Sequence, residues 1–372
     1  MPKNIVICCD GTANEFAKNL TNVVKLYSTL VNSPDAQVTY YHPGLGTMEP
    51  EGALTTFSRK WTKLLGMAIG YGLANDIRDA YVFLMRNYAP GDRLFLFGFS
   101  RGAYTAKAIC SLLKLYGLLR RDNDALVPYA TRLMMGVDRA KPGDQSKHEA
   151  LNQYFGLARD FKLTLASECK PWFVGVWDTV SSVGWIENPL KLPYISNNPD
   201  IQIGRHAVAM DERRAFFRSH LWRRPEDPDA DSGPKNVKQV WFPGVHCDVG
   251  GGYAEPQSGL SKCALDWMLE EAKQAGLLVD EAKVAEVLGQ GNSKHAPPDP
   301  NAQMHESLKG WWNLAELVPK RRYDPITGET HRRMNLWSRR RIREGSLVHE
   351  SAFQRKGYEG RIPDGAVRVK TR

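Results

Sequence analysis

One pentapeptide constrains this chain more than any other feature: Gly98-Phe99-Ser100-Arg101-Gly102. It follows the apolar run Leu94-Phe95-Leu96-Phe97 and precedes a stripe of Ala106, Ile109, Cys110 and Leu113 at helical spacing, with Gly117 as the C-cap. Such a run reads as a strand covered on both faces, the usual state in a parallel sheet. Small residues on either side of a serine let the chain turn sharply from strand to helix. That turn lifts the hydroxyl clear of the sheet and sets it at the positive end of the helix.

The surrounding sequence repeats the alternation. Strand patterns cover Ile5 to Cys9, Gln37 to His42, Trp172 to Trp177 and Val237 to Phe242. Helical spacing covers Asn19 to Val31 and Asn75 to Tyr88. The fold class that follows is α/β and α/β-hydrolase-like, with a mostly parallel central sheet and helices on both faces. Residues 1–290 are expected to form the main domain. Within it Asn188 to Pro234, rich in Pro, Asp and Arg and poor in periodicity, is expected to be a cap or lid insertion. Residues 291–301 read as an exposed loop, and 303–372 as a basic extension packed on the same domain.

Hydrophobic residues make up 42% of the chain, enough for a large core. No stretch reaches the roughly 18 apolar residues of a membrane span, and Met1 to Val6 run straight into a strand with no leader pattern. The expectation is a soluble chain made in the cytoplasm, with any export left to a route that needs no leader. The six cysteines lack metal-finger spacing and are too sparse for a disulfide framework. Adjacent Cys8 and Cys9 should point to opposite faces of one strand as small core residues. Neither metal nor cofactor is expected.

The formal charge of +9 gathers near the C-terminus, in Lys320-Arg321-Arg322, Arg332-Arg333, Arg339-Arg340-Arg341 and Arg343. Such a run is ordinarily a solvated face, or pairs with carboxylates such as Glu344 and Glu350. Its functional alternative is peripheral contact with an anionic membrane, helped by Trp311, Trp312 and Trp337. Nucleic acid is not expected as a partner.

A serine hydroxyl needs a base, and the base needs a carboxylate to orient it. On this kind of sheet the chain order is nucleophile, acid, histidine. Asp178 follows Phe173-Val174-Gly175-Val176-Trp177, and His246 follows Val240 to Val245, both at strand ends where sheet topology places active sites. The rivals are Asp248 for the acid and His349 for the base. Backbone N–H groups of Arg101, Gly11 and Thr12 are the expected oxyanion donors, with Asp10 ordering their loop. Gly250-Gly251-Gly252 is either a close backbone approach to the site or a plain turn. Phe99, Phe217 and Trp222 are the expected substrate contacts, with Trp185, Phe216 and Leu221 adding apolar surface to the lid.

Taken together, these segments resemble one family. Asp10-Gly11-Thr12, Tyr41-His42-Pro43-Gly44-Leu45-Gly46-Thr47 and Gly91-Asp92 leading into Gly98 to Tyr104 carry the likeness. Gly175-Val176-Trp177-Asp178-Thr179-Val180 and Trp241 to Tyr253 complete it. The family is the group of uncharacterised α/β-hydrolase domains that includes type VI secretion phospholipase effectors, and the resemblance covers roughly residues 3 to 260. It implies a nucleophile at Ser100, an acid at Asp178, a base at His246 and a phospholipid or related acyl ester as substrate. Cys247 stands where many relatives are expected to carry Ser.

Two other readings compete with acyl-ester hydrolysis. Asp10, Asp178, His246 and Asp248 could gather round a cation as a metal-dependent phosphohydrolase. The aspartyl-phosphatase signature D-x-D-G-T would support that, but Cys8 occupies the position of its nucleophilic Asp. The third reading is a non-catalytic binding module on a hydrolase scaffold.

Overall fold

The computed structural model describes residues 2–11, 19–44, 59–136, 145–180, 184–185, 188–189, 192–215, 217–222, 233–309, 313, 316–317, 319–323 and 330–371. Eight parallel strands form its central sheet: β1 (Asn4–Cys9), β2 (Gln37–His42), β3 (Arg93–Phe99), β4 (Pro171–Trp177), β5 (Ile203–Ala209), β6 (Asn236–Phe242), β7 (Leu347–His349) and β8 (Val367–Val369). Their spatial order is β8-β7-β6-β5-β4-β3-β1-β2. All seven neighbouring pairs are parallel. This is an α/β-hydrolase-like fold.

The period-2 pleat sorts the strands' side chains onto two faces. Ile5, Ile7, Cys9, Leu94, Leu96, Val174 and Val176 face one core, which α2 (Arg59–Asn87), α3 (Arg101–Tyr116), α4 (Val127–Gly136) and α5 (Gln145–Leu165) help to cover. Val6, Cys8, Phe95, Phe97, Phe173 and Trp177 face the other, under α1 (Asn22–Thr29), α7 (Gly259–Gln274) and α8 (Glu281–Val287). Cys8 and Cys9 thus part to opposite faces, as their adjacency requires.

The chain starts at β1, steps outward to β2, and returns past β1 to β3. The helix after β1 lies on one face and the helix after β3 on the other. The crevice outside the carboxyl ends of β1 and β3 is therefore the topological switch point, where sheets of this type hold their ligands.

The expected cap over residues 188–234 is corrected. β5 lies inside that interval and occupies a central place between β4 and β6. Arg205 and His206 break its apolar pattern, yet both are buried. Arg205 is held by Glu271 at 2.5 Å and by the Asn236 carbonyl at 3.0 Å, and His206 Nε2 accepts from the Thr179 amide at 3.1 Å. A paired charge inside a strand conceals it from hydropathy. Trp222 is corrected likewise: it is 2% exposed, part of the core, with the Lys107 ammonium 4.3 Å from its ring. Phe216, Trp311 and Trp312, and the side chain of Trp185, lie outside the described residues.

The C-terminal extension does more than pack against the domain. It supplies β7 and β8, and its basic runs Lys320–Tyr323 and Thr330–Arg333 pair as an antiparallel hairpin.

Candidate active site

Ser100 sits between β3 and α3 with φ 58° and ψ −119°, a backbone conformation that a non-glycine residue adopts only when its surroundings enforce it. The enforcement comes from both sides. A Cβ on Gly98 would lie 2.5 Å from the Gly102 carbonyl oxygen, and one on Gly102 would lie 2.2 Å from that of Cys9. The Ser100 amide donates to the Trp177 carbonyl at 3.1 Å, tying the elbow to β4. Ser100 itself is half-buried at the helix N-terminus.

At the end of β4, Asp178 is fully buried, also with positive φ. Its Oδ1 accepts from the Ala209 amide at 3.0 Å, and its Oδ2 lies 2.5 Å from His246 Nδ1. Burial alone would raise the Asp178 pKa. The Arg340 guanidinium and the His246 hydrogen bond outweigh it and hold the carboxyl well below the usual carboxylate range. An ionised carboxylate only accepts, so His246 Nδ1 is the donor in this contact.

His246 opens α6 (His246–Gly250) after β6, and its ring is wedged between Phe99 at 4.6 Å and Phe217 at 4.9 Å between centroids. Phe99 immediately precedes Ser100, so this contact sets the elements that carry Ser100 and His246 side by side. Ser100 Oγ and His246 Nε2 are not hydrogen-bonded to each other in this structure. Phe99, expected to meet substrate, is 3% exposed and packs against the His246 ring. Gly250 answers the question posed by the glycine triplet: a Cβ there would fall 1.9 Å from the Phe99 ring, so the close approach is real. Phe217 remains half-buried at the site.

Arg101 begins α3, whose first-turn N–H groups point out of the helix end beside Ser100. Gly11 packs against the elbow, but its amide donates to Asp10 Oδ1 at 2.7 Å and is thereby engaged. Asp10 also accepts from Thr21 at 2.7 Å and Tyr41 at 2.9 Å, so it orders this loop. Thr12 lies outside the described residues.

The rivals have other partners. Asp248 Oδ1 meets His305 Nδ1 at 2.6 Å, and its Oδ2 accepts from the Val245 amide at 3.0 Å. His349 caps α9 (Glu350–Gln354): Nδ1 bonds Ser351 and Nε2 lies 3.0 Å from Thr371 Oγ1. Of the four residues proposed for a cation, only Asp178 and His246 meet each other, while Asp10 is bonded to Thr21 and Tyr41 and Asp248 to His305. Among the described residues no three His, Cys, Asp or Glu converge as a metal cage.

Two residues here escaped the sequence reading. Glu212 is buried and accepts from the His246 amide at 3.2 Å. Burial works to raise its pKa, but its paired bond with Arg214 prevails and holds it at about 2. It lies three residues beyond the end of β5, so recognising that strand would have flagged it. Arg340, read as surface charge, instead reaches inward to Asp178.

Residues 3–271 match the model of the type VI secretion, phospholipase effector Tle1-like, catalytic domain. The uncharacterised protein YEL023C of Saccharomyces cerevisiae is 35% identical over 225 residues, covering 58% of this chain and 32% of that protein. The chain thus spans about a third of the length of that curated relative. An uncharacterised protein of Pseudomonas aeruginosa, known from a crystal structure, is 20% identical with a TM-score of 0.40 over 75% of this chain and 47% of its own. With its elbow serine at a sheet switch point and most of its length matched, this chain belongs to the Tle1-like phospholipase effector catalytic-domain family.

Proposed function

We propose that this chain hydrolyses acyl esters of lipids through Ser100, His246 and Asp178. The observation that carries this reading is the 2.5 Å Asp178–His246 contact beside an elbow serine. His246 Nε2 takes the Ser100 proton as Oγ attacks the acyl carbonyl carbon. The oxyanion forms at the N-terminus of α3, by the Arg101 amide. The leaving alcohol departs with the proton from Nε2, and the acyl group stays on Ser100. Water, deprotonated by Nε2, then releases the fatty acid and restores the hydroxyl. Asp178, kept ionised, holds the imidazole in place and stabilises its transient positive charge.

The lipid half of the reading rests on the family's name and on a surface feature. Met334, Leu336 and Trp337 are exposed apolar residues next to the exposed Arg339 and Arg341. Apolar and basic side chains together suit an anionic bilayer. Phe217 is placed to border the acyl chain. The test is incubation with phosphatidylglycerol and phosphatidylcholine vesicles, with products identified by mass spectrometry. Free fatty acid and lysolipid from the wild type, and none from Ser100→Ala, is the expected result. Release of a phosphorylated headgroup, or activity that survives Ser100→Ala, would contradict the reading.

A further inference from the structure

We propose that Arg340 is a positioning residue for the catalytic acid, so that the C-terminal segment completes a site whose other parts lie within residues 3–271. This rests on the acyl-transfer reading of Ser100, His246 and Asp178.

Both terminal nitrogens of the Arg340 guanidinium are engaged, while its buried Nε has no partner among the described residues. Arg340 Nη1 donates to Asp178 Oδ1 at 2.5 Å and to the Ala209 carbonyl at 3.0 Å. Nη2 donates to Asp178 Oδ2 at 3.0 Å and to the Phe217 carbonyl at 2.5 Å. Both carboxylate oxygens are thereby fixed in the guanidinium plane, a recognition that a lysine cannot reproduce. Oδ2 is shared with His246 Nδ1, so a rotation of the carboxylate would move the base. The carbonyl of Phe217 is held by the same guanidinium, and its ring lies against His246. Arg340 therefore fixes the imidazole from two directions. Its side chain is 9% exposed, whereas Arg339 and Arg341 on either side of it are exposed.

Two more contacts bind the same segment to this end of the sheet. His305 meets Asp248 at 2.6 Å, within the helix that begins at His246, and Glu316 accepts the Ala215 amide at 2.7 Å. Docking of residues beyond 303 is thus coupled to the orientation of Asp178.

The test uses the full chain and a soluble short-chain 4-nitrophenyl ester, with melting curves for every variant. Arg340→Met should lower kcat about 100-fold with KM within about threefold, the signature of a displaced catalytic group. Arg340→Lys, which keeps the buried charge but not the fork, should lose about tenfold. Free guanidinium should restore part of the turnover of Arg340→Ala. In an Asp178→Asn background the Arg340→Met change should cost nothing further, because the two act as one unit. Should Arg340→Met fail to fold, a folded Arg340→Lys decides. Wild-type kcat in a folded Arg340 variant, or losses that multiply in the double variant, overturns the proposal. Wild-type turnover that survives Ser100→Ala overturns the acyl-transfer reading itself and this inference with it.

Discussion

His246 and His349 occupy nearly equivalent places and differ in what surrounds them. His246 lies just beyond one strand of the parallel sheet and His349 ends another, and those strands, β6 and β7, are neighbours. Each is 3% exposed, opens or caps a short helix, and lies within 5 Å of a phenylalanine ring, Phe99 for one and Phe242 for the other. But His246 Nδ1 meets the ionised carboxylate of Asp178 at 2.5 Å, the contact on which its proposed role as a base rests. Both nitrogens of His349 face hydroxyls, and burial without a carboxylate pushes its pKa down to about 3. A strand-end histidine is thus a role only when a carboxylate orients it.

The largest expected effect tests that contrast directly. His246→Ala should cut turnover roughly 10⁴-fold without loss of fold, and Asp178→Asn by a similar factor. His349→Asn, which keeps a capping side chain, should stay within about twofold in turnover. Equal losses for both histidines would erase the distinction.

Two aromatics sharpen it next. Trp222→Ala should destabilise the fold by about 3–5 kcal/mol, because it empties a core position. Phe217→Ala should leave the melting temperature nearly unchanged and reduce turnover of long-chain esters more than of acetates. An unselective loss from Phe217→Ala would mean that it supports His246 only.

The pH dependence carries a smaller signal with a fixed sign. Between about 6.5 and about 3 an unfolded chain protonates His349 and the folded chain does not, so stability falls as pH drops through that window. One such proton contributes at most about 1.4 kcal/mol per pH unit. His349→Asn should flatten the acid slope of the melting temperature. Glu212, held at about 2 against its usual 4.5, adds a second decline below pH 4.5 that His349→Asn should leave intact. The smallest expected effect is at the surface. Replacing Arg339, Arg341 and Arg343 by Ser should weaken co-sedimentation with anionic vesicles at low salt and leave neutral vesicles unaffected.

The elbow was readable because sterics leave little choice at Gly98 and Gly102, and the strands of plain apolar pattern were readable with it. Asp178 and His246 followed from strand ends and chain order. β5 was not readable, since Arg205 and His206 look like surface residues until Glu271 and the Thr179 amide are seen beside them. The cap reading failed with it, and Trp222 moved from lid to core. Arg340 was hidden differently. Its partner lies 162 positions away, and one buried arginine in a basic run carries no local mark. Strand-end position and chain order already ranked His246 ahead of His349, whereas the Asp178 carboxylate at its Nδ1 is seen only in the fold.

The central claim is that Ser100 is an activated nucleophile and His246 its base. Fluorophosphonate labelling of the native chain, with the modified residue mapped by mass spectrometry, tests it most directly. The account predicts a single stoichiometric adduct on Ser100, abolished in Ser100→Ala, slowed by orders of magnitude in His246→Ala and unchanged in His349→Asn. An adduct on another residue, no adduct on the folded chain, or labelling that depends on His349 instead of His246 would contradict it.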